Sequence, residues 1–232
     1  VAGDSLYAVG GFGPGGFDAV ATVWVYQPGA DHWAERPPLP APRGASAIGV
    51  IEGRLSVVGG AGAGTRLLDS TAIFDPAARR WSSAAPIPTP RDHLAAVVLD
   101  GRLYAVGGRP LDPDRNFAAV ERYDPRTDRW TRLADMPTAR GGLAAAVVGG
   151  AIHVVGGETS RRVFTEHEIW RSADSVWRTG PPLPTGRHGL AAATVGGRMY
   201  VIGGGPRAGL ARTTVVELFD QGGGAVTPPS RR

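Results

Sequence analysis

Four arginines recur on one beat: Arg43, Arg91, Arg140 and Arg187, spaced 48, 49 and 47 residues apart. A guanidinium is planar, keeps its charge, and grips a carboxylate or phosphate through two parallel hydrogen bonds. If the fold brings these four to one place, it makes a basic mouth for an acidic peptide, an acidic protein or an anionic small molecule. Arg109 and Arg207 stand where they would rim that mouth, and Phe12 would add an aromatic surface beside it. A recurring residue can equally be architecture, with each arginine capping carbonyls between repeated units. Acid–base chemistry has three candidates near the same positions, Glu158, His93 and His188. Of the remaining histidines, His32, His153 and His167, His153 falls within a second strand and reads as an ordinary packed or hydrogen-bonded residue; nothing supports the several converging ligands a metal needs, and no metal site or cofactor is expected. Glu166-His167-Glu168 alternates in a strand and reads as a solvated outer strand. No nucleophile elbow, phosphate loop or other catalytic signature is present.

What positions these residues is a repeat. Gly-Gly closes an apolar run at Gly10-Gly11, Gly59-Gly60, Gly107-Gly108, Gly156-Gly157 and Gly203-Gly204. Trp33, Trp81, Trp130 and Trp177 keep the same period, each ten residues before one of the four arginines. An aromatic stands seven residues before each Trp: Tyr26, Phe74, Tyr123 and Trp170. Within a unit, a small-residue strand leads through a two-residue turn such as Asp100-Gly101 into a second strand that ends at Gly-Gly. A longer loop leads to a third strand. An Asp-Pro turn, as at Asp124-Pro125, leads to the Trp-bearing fourth, which ends in proline-rich text suited to an edge.

A four-stranded sheet of about 48 residues cannot bury both of its faces alone, and copies set radially can. The Ala- and Gly-rich first strands fit where sheets converge on an axis, and the Trp strands fit the wide rim. The expectation is an all-β fold: a β-propeller of four-stranded antiparallel blades. The order Gly-Gly, aromatic, Trp resembles the kelch-repeat family over Leu6 to Phe219. The Trp-Asp dipeptide of another propeller family is absent.

Five repeats are visible, so the chain reads as one propeller domain over 1–232, either a five-bladed ring or part of a six-bladed one. The repeats fall at approximately 1–42, lacking a first strand, then 43–90, 91–139, 140–186, and 187–232 with a shortened fourth strand. Val226 stands where the fifth Trp is expected. A missing innermost strand leaves an open blade edge through which copies could associate.

Composition narrows the functions. All 25 basic residues are Arg and none is Lys, which together with much Gly and Ala points to a GC-rich, bacterial coding genome. The net charge of +4 comes without a basic tail, so nucleic acid is not an expected partner. No run of 18 apolar residues suggests a membrane span. No signal peptide is recognisable, and cytoplasmic and exported locations fit equally. There is no cysteine, hence no disulfide, thiolate metal site or cysteine nucleophile.

Function divides three ways. The first is a binding module presenting an Arg-rich face to an acidic partner or anionic small molecule. The second comes from the resemblance, whose relatives include sugar oxidases and sialic acid mutarotases. The oxidase-like reading needs a cysteine–tyrosine cross-link and fails here. The mutarotase-like reading keeps Arg for a sugar carboxylate and Glu158, His93 or His188 for a proton. The third is a structural spacer.

Overall fold

The computed structural model describes residues 1–220; Val226 and the shortened fourth strand of the last repeat lie outside them. Eighteen strands form five antiparallel sheets, one per repeat, in a five-bladed propeller. Blade 1 has three strands, β1 (Leu6–Val9), β2 (Val23–Gln27) and β3 (His32–Glu35). Blade 2 has β4 (Ala47–Ile51), β5 (Arg54–Val58), β6 (Thr71–Asp75) and β7 (Arg80–Ala84). Blade 3 has β8 (Ala95–Leu99), β9 (Arg102–Val106), β10 (Val120–Asp124) and β11 (Arg129–Arg132). Blade 4 has β12 (Ala144–Val148), β13 (Ala151–Val155), β14 (His167–Arg171) and β15 (Val176–Thr179). Blade 5 has β16 (Ala191–Val195), β17 (Arg198–Ile202) and β18 (Val216–Asp220). Each sheet is a simple meander in chain order.

The tight hairpins follow from their turn residues. Asp100 and Gly101 sit at φ +51° and +70°, and Glu52-Gly53 and Gly196-Gly197 adopt the same pair of left-handed conformations. That geometry matches the right-handed twist of the flanking strands.

The core is four seams rather than one centre. Val23, Leu39 and Val57 pack between blades 1 and 2, and Ile51, Leu103 and Tyr123 between blades 2 and 3. Val106, Ile152 and Trp170 fill the seam between blades 3 and 4; Val148, Met199 and Phe219 fill that between blades 4 and 5. Small side chains let the innermost strands approach: a Cβ on Gly49 of β4 would lie 2.3 Å from Leu103 of the next blade. At the rim, Trp81, Trp130 and Trp177 each donate their indole N–H backwards to the preceding blade, to the carbonyls of Pro37, Ala85 and Ala134. Trp33 of blade 1 faces no preceding blade among the described residues and is 43% exposed.

The segment Glu166-His167-Glu168 corrects the sequence reading. From His167 it is β14, the third strand of blade 4, covered by the outer strand β15 and by blade 5, so His167 and Glu168 are buried. His167 Nε2 lies 2.8 Å from His153 Nδ1, and its own Nδ1 lies 2.9 Å from the Pro181 carbonyl. Phe219 packs on both rings. Burial, then repulsion from His167, pushes His153 down to about 4; burial lowers His167 as well. An unfolded histidine titrates near 6.5. Between those values the unfolded chain binds more protons than the native one, so stability is full above about 6.5 and falls as pH drops toward about 4. Denaturant midpoints measured from pH 7.5 to 4.5 should fall. The fall should be shallower in His153→Gln, whose amide can still donate to His167. An equal slope in both proteins would place the acid sensitivity elsewhere.

Candidate functional site

The four recurring arginines are the first residues to place. Arg43 is 1% exposed and Arg91, Arg140 and Arg187 are 0% exposed. Each guanidinium turns into its own blade. Arg140 donates from Nη1 to the carbonyls of Gly156 and Glu166, and from Nη2 to Glu168 at 2.7 Å. Arg91 meets the carbonyls of Gly107, Thr89 and Ala105 and an ion pair with Glu121. Arg187 meets those of Gly203 and Val215 and pairs with Glu217 at 2.6 Å. Arg43 has no acid at the matching position, which is Ala72, and reaches the carbonyls of Gly59 and Ser70 and the Ser70 hydroxyl.

The backbone of each arginine goes the other way. The carbonyls of Arg43, Arg91, Arg140 and Arg187 accept the N–H of Gly11, Gly60, Gly108 and Gly157 in the preceding blade. Each arginine is therefore a staple across a seam. The expected mouth of four converging free guanidiniums is corrected on this geometry: all four are buried, hydrogen-bonded within the fold and out of reach. In three blades the strand geometry meets the buried cation with carbonyls and a Glu, and in blade 2 with carbonyls and the Ser70 hydroxyl.

The residues just beyond the staples do converge. The residue after each arginine pairs with the residue after its blade's Gly-Gly: Gly44 with Ala61, Asp92 with Arg109, Gly141 with Glu158, His188 with Gly205. One residue further on, Ala45, His93, Gly142 and Gly189 all have positive φ, between +49° and +68°. Their peptides bond in sequence about the axis: His93 N–H to Ala45, Gly142 N–H to His93, Gly189 N–H to Gly142. This collar fixes the position after Gly-Gly at the mouth of the propeller. There the repeats stop agreeing: Phe12, Ala61, Arg109, Glu158 and Gly205. Framework positions hold one residue type in blade after blade, while this ring holds five different ones. Variation on a fixed frame is where a propeller carries specificity.

The ring has two halves. Across blades 3 to 5 it is a closed polar network. Glu158, 6% exposed, takes Arg109 Nη1 at 3.0 Å, His188 Nδ1 at 3.3 Å and the Gly209 N–H at 3.1 Å. His188 Nε2 lies 3.1 Å from the Arg207 carbonyl, so Arg207 serves here through its backbone while its side chain is exposed. His93 Nδ1 lies 2.7 Å from Asp92, whose other oxygen accepts the Leu111 N–H. Glu158, His93 and His188, the acid–base candidates, are thus held in contacts that join blades and loops.

Across blades 1 to 3 the ring is open and apolar. Phe12 lies flat on Gly44, where a Cβ would come within 2.3 Å of the ring. Phe17 meets Phe12 edge-on at 5.6 Å. With Ala61, Gly62, Arg109 and Leu111 they enclose a cavity of about 270 Å³. Leu111 is the residue that sequence reasoning missed, because it lies in a loop whose course no pattern marks.

A family model described as the KLHDC2/KLHL20/DRC7 Kelch-repeats domain matches residues 1–204. No curated protein matches the chain. Among solved structures, that of YjhT is similar, with a TM-score of 0.84 at 18% identity, covering 98% of this chain and 81% of that one. At that identity the likeness concerns the fold.

Proposed function

The chain belongs to the kelch-repeat family, whose propellers commonly serve as protein-binding modules, and from that premise we propose that its loop-bearing mouth binds an acidic segment of a protein partner. The observation that supports this reading is the state of the loop arginines. Arg66, Arg115, Arg207 and Arg212 all follow a Gly-Gly, are exposed, and bridge no acid among the described residues. The staple arginines are spent on architecture, so the attraction for carboxylates falls to exposed loop arginines such as these four.

Guanidiniums in rim loops act mainly by steering and by charge-assisted contacts, which salt weakens. Binding of fluorescein-labelled polyglutamate should therefore weaken as salt rises. It should also weaken at least tenfold in the Arg66→Glu/Arg115→Glu/Arg207→Glu protein. Unchanged affinity in that variant would remove the rim loops from the interface.

A further inference from the structure

We infer that the cleft between Phe12, Phe17, Arg109 and Leu111 seats one bulky apolar side chain of the bound segment, with acidic residues of that segment flanking it. This rests on the acidic-partner reading above and adds the anchor that would give it sequence preference.

Two observations carry it. The first is the exposed apolar surface. Phe17 is 73% exposed and Leu111 38%, both at the rim of a cavity of about 270 Å³. That size falls just below the roughly 300–1,000 Å³ of pockets for whole small ligands, and it suits a single side chain. The second is backbone strain. Leu111 has φ +64°, a conformation costly for any residue with a Cβ. It is held there by its N–H on the buried carboxylate of Asp92 at 3.0 Å. A buried acid is used to keep a leucine turned outward, which is strain placed at a surface position of the cleft. Arg109 forms the polar wall of the cleft, its guanidinium held by Glu158 at 3.0 Å.

The flanking acids follow from the loops themselves. The loop that supplies Ala61 and Gly62 also carries Arg66, and the loop that supplies Arg109 and Leu111 also carries Arg115. Both are exposed and unbridged among the described residues. An apolar anchor between two cationic arms complements an apolar residue between acidic ones.

The test uses labelled nonapeptides with four glutamates on each side of a central Leu, Phe, Trp or Ala, together with a Leu peptide flanked by lysines. Binding to the full chain is followed by anisotropy. The peptides with a bulky centre should bind at least tenfold more tightly than the Ala peptide. Phe17→Ser and Leu111→Ser, both at exposed positions and checked for fold by circular dichroism, should erase that ratio. If all acidic peptides bind equally, or the ratio survives both substitutions, the anchor is overturned and the acidic-partner reading stands. If the lysine-flanked peptide binds as tightly as its acidic counterpart, or no acidic peptide binds at all, both fall.

Discussion

Arg140→Ala should lower the free energy of unfolding by about 3–5 kcal/mol, the usual cost of breaking a buried ion pair from one side. The substitution leaves Glu168 buried and charged with its cation gone, and two carbonyls without their donor. It leaves the backbone bond from Gly108 to the Arg140 carbonyl in place, so the loss isolates the guanidinium. Burial lowers the Arg140 pKa and the Glu168 charge opposes that. Replacing both at once, as Arg140→Met with Glu168→Leu, should cost much less than Arg140→Ala, because no orphaned charge remains. Urea titrations of the two single variants and the double complete a thermodynamic cycle. A loss below about 1 kcal/mol for Arg140→Ala would mean the pair is not what holds blade 4 to its staple.

Gly107→Ala should be a severely damaging methyl, and Gly203→Ala a mild one. The two glycines share a motif position and nearly the same backbone, φ +61° and +64°. Both therefore carry the same left-handed penalty, about 1–2 kcal/mol. They differ in what stands opposite. A Cβ on Gly107 would come within 2.6 Å of the Arg140 carbonyl and 2.4 Å of Leu143, whereas on Gly203 it meets nothing nearer than the Thr213 carbonyl at 3.7 Å. The crowding at Gly107 adds a further 1–3 kcal/mol or so of overpacking. The difference between the two variants, read from thermal or denaturant unfolding, measures the closeness of one seam. Equal losses would show that the backbone penalty alone explains why the repeat keeps Gly-Gly.

The repeat period, the hairpin turns and the propeller were legible because Gly-Gly and Trp keep their phase and have few physical alternatives. The role of the arginines was not. A charge recurring at one phase reads equally as a surface or a staple until its partner is found. Here the partner drifts: Glu121 and Glu217 lie 30 residues after their arginines, Glu168 lies 28 after, and the second blade has Ala72 instead. Loop length varies between arginine and acid, so counting from the arginine hides the pairing. Counting from the aromatic shows it: Glu121, Glu168 and Glu217 each stand two residues before Tyr123, Trp170 and Phe219. The mouth was partly legible. Phe12, Arg109, Glu158 and His188 do come together, but which are sealed among themselves and which face open space depends on loop paths such as that of Leu111.

Each staple belongs to two blades at once, its carbonyl to the one before and its guanidinium to its own. On a ribosome, this imposes an order of completion. Blade 3 can hydrogen-bond its four strands as soon as Arg132 has emerged, yet the N–H of Gly108 still waits for the carbonyl of Arg140. Arg140 in turn is fixed only when β13 and β14 present Gly156 and Glu168 to its side chain. Every seam therefore closes one blade late, and a nascent chain of any length carries one unfinished joint at its growing end. A pause in translation exposes that joint, with its unbonded glycine N–H and the apolar face beside it, for as long as the pause lasts.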